Sequence, residues 1–146
     1  MVDPSGVFRS ERVFAAPPAR VFAAFARADE LARWWGPAGF RNTFETCDFV
    51  PGGRWVFVMH GPDGTDYPNE SVFRAIEPDA RVVIDHVCPP HFTLTVTLAA
   101  DPGGTRLTWV QAFASASFAA QVRHIIEPAN EQNLDRLAAV LAAGPG

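Results

Sequence analysis

The stretch from about Ala116 to Ala142, ASFAAQVRHIIEPANEQNLDRLAAVLA, constrains the fold more than any other part of the chain. Its apolar residues fall at Phe118, Val122, Ile125, Ile126, Leu134, Leu137 and Leu141, in steps that gather them on one stripe of a helix. At ~1.5 Å per residue such a helix reaches roughly 40 Å, enough to cross a small domain. The opposite side carries Arg123, Glu131, Gln132, Asp135 and Arg136. The helix must therefore lie on an apolar surface, and the upstream strands are the candidate partner. Two residues interrupt the stripe. Pro128 lacks an N–H and crowds the preceding turn, which predicts a kink or a second helix start. Asn130 falls on or beside the inward stripe, where its amide needs backbone, water or a ligand as a partner.

The rest of the chain supplies that surface. Val7–Phe14 reads as a strand with Phe8 and Phe14 on one face. Pro17-Pro18 then leads into ARVFAAFAR, a short helix with proline in its first turn. A second short helix, ELARWW, is capped by Asp29 and stopped at Gly36-Pro37. Strands follow near 40–49, 54–60, 69–77, 81–87, 91–99 and 105–113, separated by turn chemistry such as Pro51-Gly52-Gly53, Gly61-Pro62-Asp63-Gly64 and Pro89-Pro90. Connections this short imply antiparallel neighbours. Phe92, Leu94, Val96 and Leu98 alternate with His91 and threonines, so one face of the sheet is dry. Val82, Ile84 and His86, then Trp55, Phe57 and Met59, then Leu107, Trp109, Gln111 and Phe113 extend that face. The pattern predicts an α+β fold, a curved antiparallel sheet of about six or seven strands wrapped around a long C-terminal helix. Several inward residues are large or polar where a tight core prefers Leu, Ile or Val, which points to a pocket.

Length and charge narrow the function. The 146 residues fit one domain, 1–146. No run approaches the ~20 apolar residues of a membrane span, and the first ten residues lack signal-peptide order, so a cytoplasmic protein without membrane insertion is expected. A net charge of −4 without a basic block argues against nucleic acid. All twelve basic residues are arginine, which removes lysine chemistry. Cys47 and Cys88 read as free thiols. The edge strand Val7–Phe14 allows a monomer or a homodimer.

Chemistry is thinly represented. His86, Cys88 and His91 crowd one hairpin, with His60 and Asp66 on another turn, but alternation splits them and no second motif completes a zinc site; neither metal nor cofactor is expected. Ser5, Ser10, Ser71, Ser115 and Ser117 sit in no nucleophile elbow. An acid–base role would fall to His86 on the dry face, with Tyr67 and the Asp66, Asn69, Glu70 and Glu127 groups at the rim.

Several motifs together resemble a known family. They are Val13-Phe14-Ala15-Ala16-Pro17 with Val21-Phe22-Ala23-Ala24-Phe25, then Leu31-Ala32-Arg33-Trp34-Trp35-Gly36-Pro37, then Pro51-Gly52-Gly53. His60-Gly61-Pro62-Asp63-Gly64 leading to Tyr67-Pro68-Asn69-Glu70, Gly104-Thr105-Arg106-Leu107-Thr108 and Leu134-Asp135-Arg136-Leu137 complete the set. Over nearly its whole length the chain resembles the START-like (SRPBCC) superfamily, and within it the heat-shock protein 90 ATPase activator (Aha) homologue-like domains. The resemblance implies a helix-grip fold with an internal pocket. Members of the superfamily bind lipids, sterols, polyketides or hormones, and some are cyclases. The implied function is binding of an apolar or aromatic small molecule, with a link to stress response. A co-chaperone-type module acting on a heat-shock ATPase through exposed Trp34 or Trp35 is the alternative, and a cyclase or isomerase using His86 a further one. The expected lining is Trp55, Phe57, Met59, His86, Phe92, Trp109, Gln111 and Asn130, with Trp34 and Trp35 near an entrance.

Overall fold

In the computed structural model, which describes residues 6–143, turns divide the chain into ten elements. Ser5 and the Gly144-Pro145-Gly146 end lie outside the described residues. Strand β1 is Val7–Phe14, followed by helices α1 (Pro18–Ala26) and α2 (Ala28–Trp34). Strands β2 (Arg41–Cys47), β3 (Arg54–His60), β4 (Asp66–Glu77), β5 (Arg81–His86), β6 (Phe92–Asp101) and β7 (Gly104–Phe113) come next, and α3 (Ala116–Ala143) closes the chain. Arg27, not Asp29, occupies the cap position of α2; Asp29 and Glu30 sit inside its first turn, where carboxylates suit the helix dipole.

All seven strands form one antiparallel sheet in the order β1-β7-β6-β5-β4-β3-β2. Hairpin connections place β2 to β7 side by side, and only β1 needs a long-range pairing, with β7. Register shifts at Phe44/Thr46 and Phe73/Ala75 are bulges, which bend strands and help the sheet curve. Strand β4 begins three residues before the expected start, because Tyr67 to Asn69 continue the ladder with β3 across Pro68.

Helix α3 runs unbroken through Pro128, and both Pro128 and His124, whose carbonyl loses its intrahelical donor, are exposed residues. It packs on α1 and α2 as well as on β1 and β7, so the strands are not its only partner. The buried side is Ala119, Asn130, Asn133, Leu134, Leu137 and Val140. Ile125 is 55% exposed, against the stripe expected from spacing alone. The reason is that α3 faces two clusters in succession. Its first half meets a small one of Phe8, Phe113 and Ala119 with Phe118 and Ile126 against it. Its second half places Leu134, Leu137 and Val140 in the main core with Trp34, Trp55, Phe73 and Leu107. Among the described residues no helix is long and apolar enough to cross a membrane.

Candidate functional site

Where α3 passes from the small cluster to the main one, neither fills the space, and a cavity of about 450 Å³ remains. That is within the ~300–1,000 Å³ of small-molecule sites. The sheet contributes Phe57, Met59, Ile84, Phe92, Leu94 and Trp109, and α3 closes the space with Ile126, Ala129, Asn130 and Asn133. Trp35, Pro37 and Phe40 wall it from the α2–β2 connection, while Asp66, Tyr67, Pro68 and Asn69 form a rim. Of the residues expected at a binding site, Phe57, Met59, His86, Phe92, Trp109, Gln111, Asn130 and Trp35 are brought together here. Trp34 and Trp55 are not. Trp34 is fully buried, donates from Nε1 to the Ala24 carbonyl at 2.9 Å and meets Phe25 edge-on. Trp55 is stacked 4.3 Å from Phe57 and belongs to the core behind the wall.

The α2–β2 connection has no regular structure, so its carbonyls need partners from elsewhere. Helix α3 supplies most of them. Arg136 donates to the carbonyls of Arg33, Trp35, Gly36, Pro37 and Phe40 at 2.8–3.0 Å. Asn133 donates to the Trp34 carbonyl at 2.7 Å, and the Gln132 side chain accepts from the Ala38 N–H at 3.2 Å. From the sheet side, Asn42 donates to the carbonyls of Ala32 and Trp35. Gly36 is required for its backbone: φ is +96°, and a Cβ there would stand 2.6 Å from the Met59 methyl. One wall of the cavity is thus pinned by side chains of the opposite wall. Spacing on α3 had put Arg136 and Gln132 on the solvent stripe, because nothing local in sequence reveals a loop returning over that face.

Several polar side chains stand inside. Gln111 on β7 and Asn130 on α3 join across the cavity, Asn130 Nδ2 donating to Gln111 Oε1 at 3.0 Å. His86, stacked on Phe92 at 4.5 Å, has Nδ1 2.7 Å from the Pro90 carbonyl and Nε2 2.7 Å from Asn69 Oδ1. The Pro90 carbonyl can only accept, so Nδ1 carries a proton. An imidazolium matches Asn69 as oriented, whereas the neutral ring asks Asn69 to present its NH2. Burial pushes the His86 pKa below the ordinary value, against the hydrogen bonds to Pro90 and Cys88 backbone that raise it, with a small further lowering from His91. The folded ring therefore takes up a proton less readily than the unfolded one, and its stabilising contribution is complete above the ordinary His value of about 6.5 and lost as pH falls below it toward the depressed folded value. Unfolding free energy measured from neutral to mildly acidic pH should fall less steeply in His86→Gln than in the wild type; identical slopes would assign the titration to another group.

Other chemistry is sparse. The Cys88 sulfur lies 3.6 Å from His86 Nε2. Burial, with Asp48 adding, raises the Cys47 pKa, which makes it a poorer nucleophile. Among the described residues no three His, Cys, Asp or Glu side chains converge as a metal-binding group. Tyr67 is 44% exposed at the rim, facing Phe40.

A curved antiparallel sheet closed by one long helix, with an apolar cavity held between them, defines a helix-grip domain of the START-like class. The family model described as "Activator of Hsp90 ATPase homolog 1-like protein" matches residues 15–142. The chain belongs to that family. It is similar to a protein from Arthrobacter aurescens solved by NMR, with 28% identity, a TM-score of 0.89, and 99% of this chain and 91% of that chain covered. A crystal structure of a protein from Mycobacterium smegmatis is similar at 28% identity and a TM-score of 0.84, covering 99% and 97%. An AHSA1-like protein from Aeromonas hydrophila, 22% identical over 94% of this chain and 92% of that one, shares the fold at a TM-score of 0.76. No curated protein matches the chain.

Proposed function

We propose that the protein binds an apolar or aromatic small molecule in the cavity beneath α3. The observation that carries this reading is a space of about 450 Å³ in the middle of the fold, walled by Trp35, Phe57, Phe92 and Trp109 and crossed by the Gln111–Asn130 pair. Burial of the ligand's apolar surface supplies affinity at roughly 25 cal/mol per Å², and the few polar groups set orientation. Native mass spectrometry of freshly purified protein, followed by extraction, is the direct test. Uptake of the neutral dye Nile red extends it to protein purified empty. Ala129→Phe, which projects a ring from α3 into the space, should abolish dye uptake while the far-UV spectrum stays unchanged. A wild-type protein that carries nothing and takes up no neutral apolar probe would remove the reading.

The family's description favours a second reading, a module that acts on a heat-shock ATPase. Its expected signature was an exposed Trp34 or Trp35, and these are 0% and 9% exposed. Stimulation of a chaperone ATPase by the purified chain, undiminished in Ala129→Phe, would establish that reading over the first. A cyclase or isomerase role for His86 has less behind it, since both ring nitrogens already face oxygen atoms of Pro90 and Asn69.

A further inference from the structure

We infer that the molecule taken by this cavity is uncharged and bears a combined hydrogen-bond donor and acceptor, such as an amide or a hydroxy-ketone, at the end that meets α3; this rests on the binding reading above. No cationic side chain faces the cavity. The chain has no lysine, and none of its twelve arginines reaches the cavity lining. The arginine that holds the wall, Arg136, has its guanidinium committed to five carbonyls. Both ring nitrogens of His86 already face oxygens of Pro90 and Asn69, and burial works against a charge on the ring, so it makes a poor counter-ion. An anionic head group would leave water without a cation to meet it, and a buried, unpaired carboxylate neutralises or stays out. A cation fares little better. Asp66 is the one carboxylate in the lining, and its side chain is 63% exposed at the rim and paired with His60 at 2.8 Å.

The polar end of the cavity needs both a donor and an acceptor from its ligand. Gln111 and Asn130 are 7% and 8% exposed, and a single hydrogen bond joins them. Whichever amide donates, the pair keeps one NH2 and one C=O outside that bond. Asn133 beside them gives one N–H to the Trp34 carbonyl, which leaves its oxygen and its second N–H. A plain hydrocarbon would strand these groups dry, an unfavourable exchange. A ligand with adjacent donor and acceptor satisfies them without adding charge.

The test is equilibrium dialysis of the full chain against three probes with one ring system: 2-naphthamide, 2-naphthoate and naphthalene, at about pH 8 where the carboxylate is ionised. Naphthamide should bind tightest, at least about ten-fold ahead of naphthoate, a ratio that corresponds to 1.4 kcal/mol. In the Gln111→Leu/Asn130→Leu double variant, which replaces both partners of the bond by apolar groups of similar size, the advantage of naphthamide over naphthalene should disappear while naphthalene binds at least as well. Naphthoate binding as tightly as naphthamide, or naphthamide no better than naphthalene, overturns the inference and leaves the binding reading standing. Failure of all three to bind removes both together.

Discussion

Arg136→Met is expected to lower the stability of the fold by about 3–5 kcal/mol, since hydrogen bonds from a charged donor contribute roughly 1.5–3 kcal/mol each and act here as one non-additive group. The carbonyls of Arg33, Gly36 and Phe40 lose their side-chain donor at once, while those of Trp35 and Pro37 are left with only Asn42 and the Phe40 N–H. Arg136→Lys should recover only part of the loss, because an ammonium has three donors on a point and not a planar fork. Urea unfolding reads both variants: a lowered midpoint at constant slope is the expected outcome. A wild-type midpoint in Arg136→Met would mean that water replaces the guanidinium at no cost. The same variant should weaken any ligand of the cavity, as Trp35, Pro37 and Phe40 stand on the released segment.

Glu30→Ala should cost a similar amount, about 3–5 kcal/mol, by leaving a charged partner without its counter-ion. Glu30 is 1% exposed and joined to Arg20 through two contacts of 2.8 and 3.1 Å, tying α1 to α2. Arg33 stands 3.9 Å away and adds little. Replacing both members, Arg20→Met with Glu30→Leu, should restore much of the stability, because well-packed apolar residues often match a buried ion pair. Thermal or urea unfolding of the single and double variants closes the cycle. A double variant no more stable than Glu30→Ala alone would show that the pair sets the α1–α2 geometry in a way apolar residues cannot.

The sheet was readable because its signals are local. Alternation at Phe92 to Leu98 and the turn residues between strands define each hairpin without knowledge of the rest. The long helix was readable as a helix, but its facing was not. Periodicity assumes one partner surface, whereas α3 meets a small cluster, a cavity and then the main core, so Ile125 turns outward and Asn133 inward. Eight of the ten residues expected at the site stand around the cavity, since a dry strand face and an inward asparagine are both pattern-level features. Trp34 and Trp55 lie elsewhere because alternation and helical spacing tell inside from outside, but not wall from core. The role of Arg136 was hidden for a different reason. Its partners are carbonyls about a hundred residues away, and a carbonyl has the same identity at every position.

That anonymity gives the wall of the cavity a particular freedom. Arg136 and Asn133 hold residues 33–40 by main-chain oxygens, and only Gly36 and Gly39 there are dictated by their own backbone angles. The path of the segment therefore owes little to what is written at positions 37 and 40, which face the cavity beside the core residue Trp35. The shape of the cavity can drift by substitution at those two positions while the scaffold stays where it is. A descendant with a differently shaped cavity need not first solve the problem of where its loop goes.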